Sequence, residues 1–298
     1  MKNIKRISFK RMYILILIIT AFVILICIND NEVNTQLNEF DEIKAYQHII
    51  EQVNFGARYP GSAGHENVQK YIIETMELNG WNVTKQAIEV NGHIVNNIIC
   101  NKGSGDQTIL LGAHYDTRKL ANGEGSDLPV PGANDGASGV AVLLELARLI
   151  PDNFDNEMFF VFFDHEDNGG IEGAEWAMGS TSYVDTMEIT PDSVIIIDMV
   201  GDADLNIFRE NNSSKILNDV IWGIAHNLGY EEFIDEEKYN LIDDHLPFVN
   251  GGYEATLIID FEYEFWHTTE DTIDKISANS LKVVGDTIAS WINQDHSK

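Results

Sequence analysis

Five short apolar runs, at 95–100, 108–113, 158–163, 194–197 and 256–259, set the tightest limit on what this chain can become. Each is rich in branched or aromatic residues and is punctuated by turn or polar residues, the pattern of a buried strand. A strand that is apolar on both sides needs cover on both sides. Helical stretches supply that cover at 41–54, 66–78, 136–149, 214–228 and 280–292. The second of these ends at Asn79-Gly80, a pair suited to a helix C-terminus. Alternating strands and helices predict an α/β fold, with a mostly parallel or mixed central sheet and helices on both faces.

The amino terminus reads differently. Lys2, Lys5, Arg6, Lys10 and Arg11 precede an uncharged apolar run at 12–28. Its length is at the short end for a spanning helix, so Lys10 and Arg11 would snorkel to the interface. No small-residue cleavage site precedes Asn29, and Ile26 stands where a lipoprotein site at Cys27 would want a small residue. The expectation is a basic cytoplasmic tail at 1–11, a single-pass signal anchor at 12–28, a polar stalk at 29–39 and an extracytoplasmic catalytic domain at 40–298. With the five basic residues of the tail set aside, 14 Lys and Arg face 48 Asp and Glu, a charge of −34. Such a surface excludes nucleic acid and anionic membrane surfaces as partners. Cys27 and Cys100, one in the anchor and one in the domain, form no disulfide within the fold.

The polar residues that close the strands carry the chemistry. The run at 108–113 leads into His114-Tyr115-Asp116, the one at 158–163 into Asp164-His165-Glu166-Asp167, and the one at 194–197 into Asp198. The last strand leads through a loop to Trp266-His267-Thr268. In open α/β sheets, ligands sit outside the carboxyl ends of the strands, so these groups converge on one crevice. Any single acid among 48 is ordinarily a solvated surface charge, but Asp198 lies inside Ile195-Ile196-Ile197-Asp198-Met199-Val200. An unpaired carboxylate buried there costs several kcal/mol, and a metal ion is the economical partner. His, Asp and Glu without Cys suit a catalytic Zn²⁺. Asp116, two residues beyond His114, is placed to accept the second ring N–H of that histidine. Asp135, in Pro131-Gly-Ala-Asn-Asp-Gly-Ala-Ser-Gly139, falls at the start of the 136–149 helix and aims at the same metal. Glu166 and Asp167 are adjacent, so one binds metal while the other carries protons.

These motifs, in this order and together with Arg58-Tyr-Pro-Gly-Ser62, resemble the zinc aminopeptidase family that also contains the glutaminyl cyclases. The resemblance implies the phosphorylase/hydrolase-like α/β fold and peptide or protein N-termini as substrate. Two branches follow. The aminopeptidases hold two zinc ions: Asp135 would bridge them, Asp167 and His267 would hold one, His114 and Asp198 the other. Glu166 would then activate water. The cyclases hold one zinc, on Asp135, Asp167 and His267, and convert N-terminal glutamine to pyroglutamate with release of ammonia. Glu166 would then move a proton from the α-amine to that ammonia.

The segment Asp243-Asp244-His245-Leu-Pro-Phe248 looks like the cyclase version, as does Trp266 beside the ligand His267. The cyclase branch implies a hydrogen-bond network of Asp198 and Asp243 beside Glu166, with Trp266 packing on the substrate. Asp167 stands where animal cyclases carry Glu, and the animal pair of cysteines beside the site is absent. Trp176 reads as a core residue, with a place in the pocket wall as the alternative. A third reading, a silent ectodomain that keeps the fold for binding, would require lost ligands, and none is lost.

Overall fold

The computed structural model describes residues 39–122 and 127–294, all within one compact unit that runs from Leu37 to Lys298. The chain order is α1 (Glu42–Asn54), α2 (Ala63–Leu78), β1 (Asn82–Val90), β2 (His93–Lys102), β3 (Thr108–His114), α3 (Ala137–Leu149) and β4 (Glu157–Phe163). There follow α4 (Met178–Thr186), β5 (Ser193–Asp198), β6 (Ile207–Glu210), α5 (Lys215–Leu228), β7 (Phe233–Tyr239), α6 (His245–Asn250), β8 (Ala255–Ile259) and α7 (Ala278–Ile292).

The sheet is mixed, in the order β1-β2-β4-β3-β5-β8. Strands β4, β3, β5 and β8 are mutually parallel, and β2 and β1 run antiparallel at one edge. Alternation within the strands divides the core. Ile109, Leu111, Ile195 and Ile197 pack with α1, α2, α3, α5 and α7 on one face. Leu110, Val161, Phe163 and Ile196 pack with Tyr183 of α4 and Phe248 of α6 on the other. Both faces are covered, which is why these strands read as continuous apolar runs. Helix α3 is buried along almost its whole length and sits against β3 and β5, so its start is fixed where the parallel strands end.

Local signals set the helix starts. Asp41 accepts the Ile43 and Lys44 N–H groups at the head of α1, and Ser62 accepts the His65 N–H at the head of α2. Strands β1, β6 and β7 and helices α4 and α6 have no counterpart among the sequence-predicted elements. The β1 sequence, Asn-Val-Thr-Lys-Gln-Ala-Ile-Glu-Val, is mostly exposed and is held as a strand by its nine-residue pairing with β2.

One expectation is corrected. A membrane-anchored, extracytoplasmic placement required a spanning helix, yet among the described residues no helix is long and apolar enough to cross a membrane. The longest of them, α2, has 16 residues and carries one buried face against the sheet, whereas a span takes about 20 consecutive apolar residues. The segment 12–28, on which the anchor was read, lies outside the described residues, and that placement is withdrawn.

Candidate metal centre

Strands β3, β4 and β5 all end at one crevice, and the side chains at or just beyond their last residues meet there. His114 is the final residue of β3, and its Nε2 stands 3.1 Å from Asp135 Oδ1 and 3.1 Å from Asp198 Oδ1. His267 Nε2 stands 2.6 Å from Asp167 Oδ1 and 3.6 Å from Asp135 Oδ2. Two trios therefore share Asp135, namely His114–Asp135–Asp198 and Asp135–Asp167–His267, and in each the ligand atoms lie within 4.8 Å of one another. All five residues are buried.

The two trios differ in how well they satisfy themselves. His114 Nε2 and Asp198 Oδ1 make an aligned hydrogen bond. Burial disfavours the His114 cation, but the carboxylates of Asp198, Asp116 and Asp135 outweigh it and hold its pKa well above the ordinary histidine value. In the other trio, Asp167 Oδ2 and Asp135 Oδ2 have no hydrogen-bond donor among the described residues, and Asp167 Oδ1 has only the His267 ring nitrogen, 2.6 Å away but out of hydrogen-bond alignment. Burial, then the neighbouring Asp135 charge, pushes the Asp167 carboxyl up to about 7. Buried acceptors without donors are rare, and a converging set of them fits a cation. The oxygen and imidazole donors, with no thiolate, are those that zinc accepts in catalytic sites. The Asp135–Asp167–His267 trio therefore fits zinc.

The backbone around these ligands is held by residues to which sequence reasoning gave no role. Asp271 accepts the Asn134 N–H at 2.8 Å, the Asp135 N–H at 3.2 Å and the Tyr263 hydroxyl at 2.7 Å. Arg58, fully buried, donates to the carbonyls of Tyr115, Pro131 and Gly132. Arg58 stands inside a quoted motif and Asp271 four residues beyond His267, but nothing local says that they reach across the chain. At Gly136 a Cβ would come within 2.6 Å of the His114 ring, so only glycine lets α3 begin this close to β3. Asn122 Nδ2 lies 3.2 Å from His267 Nδ1 and sets that ring from behind.

Asp116 departs from expectation. Its Oδ1 is 3.6 Å from His114 Nδ1, which has no hydrogen-bond partner, so it acts on the ring by charge. Its carboxylate instead accepts the Glu166 N–H at 3.0 Å, the Asp167 N–H at 3.4 Å and Asn168 Nδ2 at 2.9 Å. It thus fixes the turn after β4 that carries the two acids. Asp164 of the same turn points elsewhere, to His65 Nε2 at 2.7 Å.

A pocket of about 230 Å³ opens on the trio and is lined by Asp135, Glu166, Trp176, Asp198, Asp243, Trp266 and His267, among others. Burial, then the charges of Asp243, Asp244 and Asp167, pushes the Glu166 carboxyl well up, against the opposing pull of His114. Burial, then Asp198, raises Asp243 to about 7. Trp266 stacks on His267 with ring centroids 4.0 Å apart, and Trp176 lies parallel to the same ring at 5.8 Å. Trp176 is not a core residue. It is 36% exposed and forms the pocket wall, steadied by the Arg118 guanidinium 5.0 Å from its ring.

Strand-end carboxylates and imidazoles around a small pocket define a metal-dependent α/β enzyme. Residues 96–292 match peptidase family M28, and the chain belongs to that family, whose members are zinc-dependent enzymes. A glutaminyl cyclase of Bacteroides thetaiotaomicron, solved with N-acetylhistamine, superposes with a TM-score of 0.80 at 32% identity, over 87% of this chain and 99% of that one. A zinc-dependent exopeptidase of Parabacteroides distasonis gives a TM-score of 0.81 at 27% identity, over 87% and 100%. Aminopeptidase YwaD of Bacillus subtilis is 28% identical over 200 residues, which are 62% of this chain and 40% of that protein. The match therefore spans less than half the length of this curated relative.

Proposed function

We propose that the protein is a glutaminyl-peptide cyclotransferase, converting an N-terminal glutamine to pyroglutamate with release of ammonia. The observation that carries this reading is the asymmetry between the trios. Donors are missing from Asp135 Oδ2 and Asp167 Oδ2, and Asp167 Oδ1 meets the His267 ring nitrogen without an aligned hydrogen bond, while His114 and Asp198 hydrogen-bond one another. The first set leaves buried acceptors open to a cation while the second already carries an internal hydrogen bond, which favours one zinc, at Asp135, Asp167 and His267.

Zinc held by Asp135, Asp167 and His267 would polarise the γ-carbonyl of the glutamine. Glu166 takes a proton from the α-amine as its nitrogen bonds to Cδ, and gives that proton to the departing ammonia as the Cδ–N bond breaks. Its raised pKa supports this role, because a shuttle works best when it is matched to the group it deprotonates. Asp243 and Asp198 line the pocket near that carboxylate, and Trp176 and Trp266 supply flat apolar walls for the glutamine methylenes. The pocket volume suits a single residue.

A second reading, hydrolysis of N-terminal residues by an aminopeptidase, is favoured by the reach of His114 and Asp198 to Asp135, which makes a second ligand set available. Zinc-loaded protein incubated with Gln-initiated and Leu-initiated peptides separates the two. Pyroglutamate and ammonia from the first, with no free leucine from the second, is the expected outcome; free amino acids without pyroglutamate would overturn it. Glu166→Gln should lower turnover by about 10²–10⁴-fold with zinc still bound. Asp243→Ala should also impair cyclisation.

A further inference from the structure

A second cavity, of about 360 Å³, adjoins the catalytic pocket. It is a cleft between α4 and α6, walled by Val184 and Asp185 on one side and by Leu246 and Pro247 on the other. Trp176, Ile242 and the buried Asp243 line both cavities, and the two exposed apolar side chains form the saddle between them. The catalytic pocket holds one residue at its volume, so a peptide bound there must leave over its rim. That rim is apolar and wet: Trp176 is 36% exposed and Ile242 is 65% exposed. Single exposed apolar side chains need no explanation, but these two stand where a peptide would pass from the catalytic pocket to the cleft. Trp176 is held in place, with Gly169 leaving room for its ring and Arg118 stacked on it.

We propose that this cleft receives the second and third residues of the peptide whose first residue occupies the catalytic pocket, an assignment that rests on the glutaminyl reading above. Leu246, Pro247 and Val184 would favour an apolar side chain at the second position. The exposed carboxylate of Asp185, in a chain of net charge −29, disfavours acidic residues at the third position and favours basic ones. Three features on one path select a peptide over a second protein surface: a one-residue pocket, an apolar saddle and a cleft of residue size beyond it.

The test uses the zinc-loaded full chain with glutamine α-amide, which has no second residue, and with the peptide amides Gln-Leu-Arg, Gln-Ser-Arg and Gln-Leu-Glu. KM for Gln-Leu-Arg should lie roughly five-fold below that for Gln-Ser-Arg, the factor that half-burial of a leucine side chain supplies. Leu246→Ser should abolish that difference and leave glutamine α-amide turnover unchanged. Asp185→Lys, a surface change outside the core, should invert the preference between Gln-Leu-Arg and Gln-Leu-Glu. Equal KM values for all three peptides, with glutamine α-amide cyclised normally, would overturn the cleft and leave the pocket reading intact. Failure of every glutamine substrate to yield pyroglutamate would overturn the glutaminyl reading and the cleft assignment with it.

Discussion

Replacing Asp271 by asparagine tests whether the metal centre is set by the buried carboxylate behind it. Asp271 Oδ1 takes the Asn134 N–H and the Tyr263 hydroxyl, and Oδ2 takes the Asp135 N–H. A carboxamide keeps one acceptor oxygen. Placed on the Oδ1 side, it preserves two bonds and turns its NH₂ toward the Asp135 N–H. That strands a buried donor, at about 1–3 kcal/mol, and weakens the other two bonds by removing their charge assistance, about 1 kcal/mol more. An opposing effect comes from charge. Burial, then the Asp135 carboxylate, pushes Asp271 up to about 7, so the neutral side chain relieves repulsion at neutral pH. The net expectation is a loss of about 2 kcal/mol in the zinc-free protein, which at a urea slope of about 3 kcal/mol/M lowers the unfolding midpoint by about 0.7 M. Because Asp135 belongs to both ligand trios, its displacement should weaken zinc binding by about 10–100-fold, read by competition with a chromogenic chelator. A variant that matches the parent in both unfolding midpoint and zinc affinity would refute the role given to Asp271.

Two further outcomes follow from groups that do not themselves line the pocket. His48 Nδ1 lies 2.6 Å from the Tyr71 hydroxyl, and burial pushes its pKa down from 6.5 to about 4. The neutral ring is favoured by folding, so its contribution is full above pH 6.5 and is lost as pH falls from 6.5 toward 4. His48→Gln should flatten that limb of the stability curve by on the order of 3 kcal/mol in pH-dependent urea titrations. Glu210 accepts His245 Nε2 at 3.0 Å, the Leu241 N–H at 3.0 Å and three donors from Asn212 and Ser213. Glu210→Ala leaves His245 Nε2 and the Leu241 N–H without their acceptor, at about 1–3 kcal/mol each, and should lower the thermal midpoint by roughly 10 °C in calorimetry.

The strands of the sheet core and the residues that end them were legible in the sequence, because each such signal is local. A strand covered on both faces must be apolar throughout, so β3, β4, β5 and β8 announced themselves. The acids and histidines that follow them had to stand at the carboxyl ends of parallel strands. Elements stabilised by a partner stayed hidden. The polar sequence of β1 becomes a strand through its pairing with β2, and α6 is six residues long and packed against β8 and α4.

Within the site, residue types and order determined which side chains meet, while only the tertiary structure decided how they are satisfied. Sequence reasoning gave Asp116 the ring of His114; the folded chain turns that carboxylate to the backbone of Glu166 and Asp167. Sequence reasoning put Trp176 in the core with the pocket wall as the alternative; the structure sets it in the pocket wall, stacked with His267. Asp271 and Arg58 hold the Asp135 loop from positions 136 and 74 residues away from their partners. Chemical identity is written residue by residue, but hydrogen-bond satisfaction depends on directions and distances between distant segments, and these exist only once the chain has folded.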